Sequence, residues 1–362
     1  MRKLTRKEFL RLAAAGLGTL VGGPSLSACA PAPTPAPTPL PSPTSPPAAA
    51  PTVASAPSIP TLRRPDVIKI GSAGKSAVVH THHAGVWDGN KLLPAVLNQM
   101  LDASITKLTG LNDAKEAWLS LFQPNERIAL KVNSITTGVT HPAFVLAVAD
   151  RLQSAGIPAE NIFIFDRYAY ELKAAGYQMN LDGPGPRCVA TGYGNYTRGW
   201  KLLGSDIRLS NIFLNCDAVI NLPILKVAGQ FGISFALKNH FGTFDRPYDY
   251  HNPFARALPQ LNAIPAIRDR TRLVVGDLFT VKPLVDGLGF RMVGTGDSIL
   301  MSFDPVAHDA VGLQVASDVW SKQGKNPAAM LDWSGRWLRA CTGLGLGAHQ
   351  PEAIRMIDVK LT

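Results

Sequence analysis

Cysteine is scarce in this chain. The four that occur, Cys29, Cys188, Cys216 and Cys341, never fall in a C-x-x-C pair. That spacing argues against a zinc knuckle and against an iron–sulfur cluster motif. Charged residues make up 17% and aromatics 7%. Dense Lys/Arg stripes interleaved with aromatics are absent, so nothing points to a nucleic-acid partner. There is no G-x-S-x-G, no P-loop and no H-E-x-x-H. Gly183, Pro184, Gly185 and Pro186 form a turn, and Gly294 and Gly296 precede a strand, so no nucleotide-binding motif is present. What remains is a globular composition: 362 residues, 46% of them hydrophobic, with a formal net charge of +10. The first segment holds Arg2, Lys3, Arg6, Lys7 and Arg11 against Glu8, which leaves about +6 for the rest. Such a balance suits an anionic surface or ligand.

Residues 1–28 read as an export signal: a basic start, the apolar run AAAGLGTLVG, then small residues. The run is too short to span a bilayer. Arg6-Lys7 ahead of Phe9-Leu10 resembles a relaxed twin-arginine signal, which leaves the twin-arginine and general secretion routes both open. Leu26-Ser27-Ala28-Cys29 resembles a bacterial lipobox. Lipidation of Cys29 would anchor the chain to the membrane through acyl chains, at the outer face of the cytoplasmic membrane or in the periplasm. Residues 29–66 hold a Pro/Ala/Ser/Thr tract with 13 prolines. Such a tract cannot bury a core, so a disordered, semi-rigid stalk is expected.

Residues 67–362 are expected to form a single α/β domain. Strands are expected at 67–70, 77–80, 127–133, 161–166, 206–209, 218–222, 272–277 and 298–303. Helices are expected at 91–108, around Trp118, and at 142–155, 168–175, 233–239, 255–268, 305–320 and 327–341. The alternation implies a parallel-rich, possibly mixed, sheet with helices on both faces. Several strands end in a polar residue: Asn133, Asp166, Asn221, Asp277 and Asp304. In open α/β sheets ligands bind beyond the carboxyl ends of the strands; Asp and Asn there also cap the following helices.

The densest stretch is 217–242, DAVINLPILKVAGQFGISFALKNHFG, in which apolar runs are edged by Lys226, Lys238, Asn239 and His240. Polar and charged groups in such a setting must be paired or bind something. Lys131 and Asn133 alternate on one face of a strand. Lys131, Lys226 and Lys238 together would make a site for a small anion, carboxylate or phosphate, with Asn133, Asn221 and Asn239 orienting it. His141 or His240 would be the general acid/base, and Asp166 or Asp277 would orient the histidine or hold a metal. His80 and His82 share a face of an extended segment and suit a divalent metal. Cys188 and Cys216 are either a disulfide or buried thiols.

At IALKVN…THP, DAVINLPILK…GISFALKNHFG and SFDPVAHDAVG the chain resembles the bacterial and archaeal family catalogued as domain of unknown function 362. It resembles most the exported subgroup with a twin-arginine signal. The resemblance covers roughly residues 77–320 and implies an α/β fold with no settled activity. Some members carry ferredoxin-type motifs; this chain has none. Family members usually continue the lysine after the proline as Lys-x-His. Here Lys226-Val227-Ala228 lacks that histidine, and His308 stands where an apolar residue is usual. The resemblance carries over Lys131, Asn133, His141, Asp166, Asn221, Lys226, Lys238, Asn239, His240, Asp304 and Asp309 as site positions.

Three readings follow from the sequence: an exported lipoprotein enzyme acting on a small anionic substrate, a non-catalytic ligand- or partner-binding lipoprotein, and a metal-dependent redox protein.

Overall fold

The computed structural model describes residues 74–135, 138–227, 232–283 and 294–362. The expected export signal, Cys29, the proline-rich tract and the strand expected at 67–70 lie outside the described residues.

One sheet organises the domain. Its labelled strands are β1 (Ser76–His83), β2 (Ile128–Lys131), β3 (Ile162–Asp166), β4 (Arg187–Ala190), β5 (Ala218–Asn221), β6 (Ile224–Val227), β7 (Thr271–Pro283), β8 (Ser298–Ser302) and β9 (Ile354–Leu361). The main path runs β9-β1-β8-β7-β5-β2-β3-β4, with β6 also paired to β7. Along this path only β8 opposes the others, pairing antiparallel with both β1 and β7. The expected parallel-rich sheet is therefore present, and it is mixed: β8 on the main path and the short strands Ile233–Ser234 and Gly294–Thr295 beside it pair antiparallel.

Both faces are covered, so β2, β5, β6 and β8 are buried at every residue. On one face Ile128, Leu130, Ile220, Leu273 and Val275 pack with Trp118, Phe122, Phe144 and Val148. Those partners come from helices α1 (Ala114–Leu121) and α2 (Pro142–Ser154) and the residue following α1. On the other face Ala129, Val219, Leu225 and Leu300 pack with Phe235, Leu258, Leu261 and Trp337. The strand alternation of side chains is what deals these residues to two cores.

Local signals account for several boundaries. Pro142 opens α2 at its first turn, where a missing N–H costs nothing. Asp304 caps the helix α5 (Pro305–Lys322), accepting from the backbone N–H groups of Val306 and Ala307. The helix expected at 233–239 is shorter than its pattern. Ile233–Ser234 pairs as a strand with β6, and only α3 (Ala236–Asn239) is helical. The β6 strand itself was hidden by Pro223, which reads as a loop but leaves only two residues between β5 and β6. A hairpin, Tyr196–Leu202 with Ser205–Ser210, takes the place of the single strand expected at 206–209. Its turn sets Leu203 at φ 50° and Gly204 at φ 84°, the paired left-handed residues of a tight hairpin. The last strand, β9, was missed because its apolar residues alternate with Arg355, Asp358 and Lys360 and none of its residues is fully buried, as suits an edge strand.

Cys188, Cys216 and Cys341 are free and buried. Burial pushes the Cys188 thiol up to about 11 and the Cys216 thiol to about 12, so both stay protonated. The disulfide alternative is thereby corrected. Among the described residues no helix is long and apolar enough to cross a membrane.

Candidate functional site

The strands parallel to β7 bring their carboxyl ends to one edge, and the polar residues gather there in two groups. Lys131 and Asn221 share the sheet face of Ala129 and Val219. Asp277 has the parity of Leu273 and Val275, on the opposite face.

The first group is closed. Lys131 Nζ donates to Asp166 Oδ1 at 2.9 Å, to the Val132 carbonyl at 2.6 Å and to Asn239 Oδ1 at 3.4 Å. The other Asp166 oxygen accepts from the Ser134 N–H and hydroxyl at 2.8 and 2.9 Å. Asn239 Nδ2 donates to Asn221 Oδ1 at 2.7 Å and to the Lys131 carbonyl. Asn221 in turn donates to the Ala236 carbonyl. The Lys131 and Asp166 side chains are 1% and 5% exposed. Gly242 seals the pair. A Cβ there would lie 2.6 Å from Asp166 Oδ1 and 2.7 Å from Lys131 Nζ. Asp309 holds α3 in place by accepting from the Ala236 and Leu237 N–H groups at 2.8 and 3.0 Å. Every charge here is matched, so the network reads as a clamp rather than a ligand receptor.

The second group is partly open. His141 caps α2, and its ring Nδ1 lies 2.7 Å from Asp277 Oδ2. The His141 backbone N–H donates to the same oxygen at 2.9 Å. Asp277 is fully buried, and the imidazole is 21% exposed. The buried carboxylate thus fixes the ring's orientation and favours a proton on Nδ1. Trp87 and Phe279 meet the ring edge-on at centroid distances of 5.7 and 6.0 Å. Neither aromatic was singled out in the sequence, because each is separated from His141 by many residues. On β6, Ile224 is in register with Asp277. Lys226, two residues on, donates to Asn133 Oδ1 at 2.8 Å. The Asn133 N–H donates to the Thr140 hydroxyl at 3.0 Å, beside His141. His141, Asp277, Lys226 and Asn133 therefore belong to one neighbourhood.

The sequence expectation of three converging lysines needs correction. Lys131 is spent on Asp166. Lys131 and Asn133 do not share a face, because β2 ends at Lys131 and the alternation ends with it. Lys238 sits with its ammonium 5.3 Å from the Phe254 ring centroid. One step along a helix turns a side chain by about 100°, so Lys238 diverges from Asn239. Burial pushes Lys238 down to about 8.

His240 as general acid/base is also corrected. The ring is buried, with Nε2 3.2 Å from the Thr271 hydroxyl. Burial, and secondarily the Lys131 charge, pushes it down to about 3. Asp304 is a structural cap that also accepts from Ser76 and from the Ala348 N–H. His308 is buried between Asp309 and the Leu300 carbonyl. At the other end of the sheet His80 is paired with Asp358 at 3.2 Å. His82 lies in register with Lys360, a cation that opposes a metal at that pair. Among the described residues no group of three or more His, Cys, Asp or Glu could hold a metal ion.

A family model described as "Domain of unknown function (DUF362)" matches residues 128–314. That span contains both polar groups. No curated protein matches the chain. A solved structure titled "Structure of the lactate racemase apoprotein from Thermoanaerobacterium thermosaccharolyticum" is similar at a TM-score of 0.39 and 9% identity, over 67% of this chain. The chain spans 57% of that protein's length, and a likeness of this size carries no argument about activity.

Two outcomes follow from the closed network. Lys131→Met leaves Asp166 buried without its cation and should cost about 3–5 kcal/mol in denaturant unfolding. His240 should make stability acid-sensitive. The unfolded imidazole protonates near 6.5, whereas the folded one resists to about 3. Its contribution is complete above pH 6.5 and falls by about 1.4 kcal/mol per pH unit below that. Unfolding free energies measured between pH 6.5 and 5 should show this slope, and His240→Phe should lack it.

Proposed function

The chain belongs to the DUF362 family, and since that family supplies no activity, we propose that this member is an enzyme using His141 as a general acid/base on a small anionic substrate. The observation carrying this reading is the 2.7 Å contact between the part-exposed His141 ring and the fully buried Asp277. A carboxylate so placed holds one tautomer and stabilises the imidazolium that forms when the ring accepts a proton. The outward part of the ring is the end that meets substrate. Lys226, buried on the adjoining strand beside Asn133, supports an anionic substrate, a carboxylate or a phosphate. Its ammonium would offset negative charge developing beside the histidine. Trp87 and Phe279 lower the local dielectric and strengthen both effects.

The division of roles is specific. Asp277 orients, His141 moves the proton, and Lys226 with Asn133 holds charge. Lys131, Asp166, Asn221 and Asn239 keep the edge rigid without touching substrate. A divalent metal is not part of this reading, since the dyad accounts for proton transfer through side chains alone.

Attachment to the membrane through Cys29 is the companion proposal. Its support is the export signal, the lipobox and the proline-rich stalk, all in the sequence. Together they support a position for the domain outside the cytoplasmic membrane.

Turnover tests the first proposal. Purified protein is assayed against a panel of small carboxylates and phosphate monoesters. His141→Ala should lower kcat about 10²–10⁴-fold while anion binding persists. Lys226→Met should instead weaken anion binding. Saturable binding with no product from any member of the panel would make the protein a binder and not an enzyme. For the anchor, wild-type cells fed a labelled fatty acid should yield labelled protein in the membrane fraction. Cys29→Ala should release it unlabelled.

A further inference from the structure

Three loops at the carboxyl edge set tyrosine beside arginine. Arg167, Tyr168 and Tyr170 follow β3, Tyr193 follows β4, and Arg246 and Tyr248 lie between α3 and α4 (Phe254–Ala263). The rings gather on one surface. Tyr168 stacks on Tyr170 at a centroid distance of 5.3 Å and approaches Tyr193 at 4.8 Å. The Arg167 guanidinium lies 4.8 Å from the Tyr168 ring and 5.7 Å from the Tyr248 ring. Tyr170, Tyr193 and Tyr248 are 60%, 79% and 72% exposed. Single exposed aromatics are ordinary, but a contiguous group held in place by a guanidinium marks an interaction surface.

Arg167 also donates to the Asp245 carbonyl at 2.6 Å, which joins the tyrosines to a neighbouring cavity. That cavity has a volume of about 520 Å³, within the range of small-ligand sites, and is lined by Arg198, Asp206, Arg208, Asp245 and Arg246. Arg198 stands directly opposite Arg208 across the hairpin, an arrangement that disfavours the hairpin itself. Asp245 accepts from Arg208 at 2.8 Å and lies 4.0 Å from Arg246. Asp249 faces Arg246 at 3.7 Å. Glu171 accepts a hydrogen bond from Tyr170 at 3.5 Å. Guanidinium and carboxylate groups are therefore interspersed and nearly equal in number. A polyanion draws its affinity from an excess of cations, which this surface lacks. What it offers is exposed ring faces beside fixed planar donors and acceptors.

We propose that this surface is a binding site for a neutral oligosaccharide. The C–H faces of the sugar rings stack on Tyr170, Tyr193 and Tyr248, and the hydroxyls bond to the guanidinium and carboxylate groups of the cavity. The site is separate from the His141–Asp277 pair and does not depend on its role.

The test is calorimetric titration of the full chain with cellohexaose, chitohexaose and maltohexaose, with oligo-dT, a heparin oligosaccharide and a peptide of residues 30–66 as comparators. The expected result is saturable, salt-insensitive binding of a neutral hexasaccharide. Tyr193→Ala/Tyr248→Ala should weaken it about tenfold or more. Both residues are largely exposed, although Tyr193 meets Tyr168 and Tyr248 stacks on His251 at 5.8 Å, so circular dichroism is used to check that the double variant is folded. His141→Ala should bind the sugar as wild type does, so loss of the proposed catalysis leaves this site testable. Failure of all three neutral sugars overturns the proposal, and so does unchanged binding by the double variant. Salt-dependent binding of oligo-dT or heparin alone, or of the peptide alone, overturns it in favour of that partner.

Discussion

The buried ion pair between Lys131 and Asp166 is the constraint on which the carboxyl edge depends. Two charges removed from water hold only when every remaining donor and acceptor is met. Here the Val132 carbonyl, Ser134 and Asn239 meet them. The demand propagates. Asn239 must face Lys131, so α3 must sit over the strand ends, and Asp309 from α5 must accept its first N–H groups. Gly242 has no side chain because any Cβ would occupy the space of the pair. Residues from β2, β3, β5, α3 and α5 are thus locked by one electrostatic requirement.

This rigidity gives the other face its meaning. A general acid/base needs a ring held in one orientation, and His141 is held twice by the same Asp277 oxygen, through its backbone and through its ring. Asp277 lies within a long strand, not at its end. Its N–H donates to the Pro223 carbonyl, which ties the dyad to the β5–β6 connection. Lys131 and Asn221 lie on one face of the sheet and Asp277 on the other, so the clamp stiffens the edge without taking up the dyad's groups.

Much of this was legible beforehand. Strand and helix alternation announced the layered fold, because buried parallel strands demand apolar runs with helices between them. Asp304 as a cap and Pro142 as a helix start follow from local chemistry. Asn133, Lys226, His141 and Asp277 do share a neighbourhood, although Asp277, read as a strand end, lies inside its strand. What misled was the assumption that cations near one edge face one pocket. Lys131, Lys226 and Lys238 look alike in sequence. One is neutralised by a carboxylate, one bonds an amide, and one lies against an aromatic ring. His240 and His141 are likewise equal as letters and opposite as environments.

The sequence by itself determined the layered α/β class and the positions of most elements. These depend on neighbours within a few residues: periodicity, caps, turn formers and composition. Which acid meets which base was decided only in the tertiary structure. Lys131 and Asp166 are 35 positions apart and His141 and Asp277 are 136 apart. Strand order and the side of the sheet each residue faces bring them together, and both arise from packing two cores against one sheet.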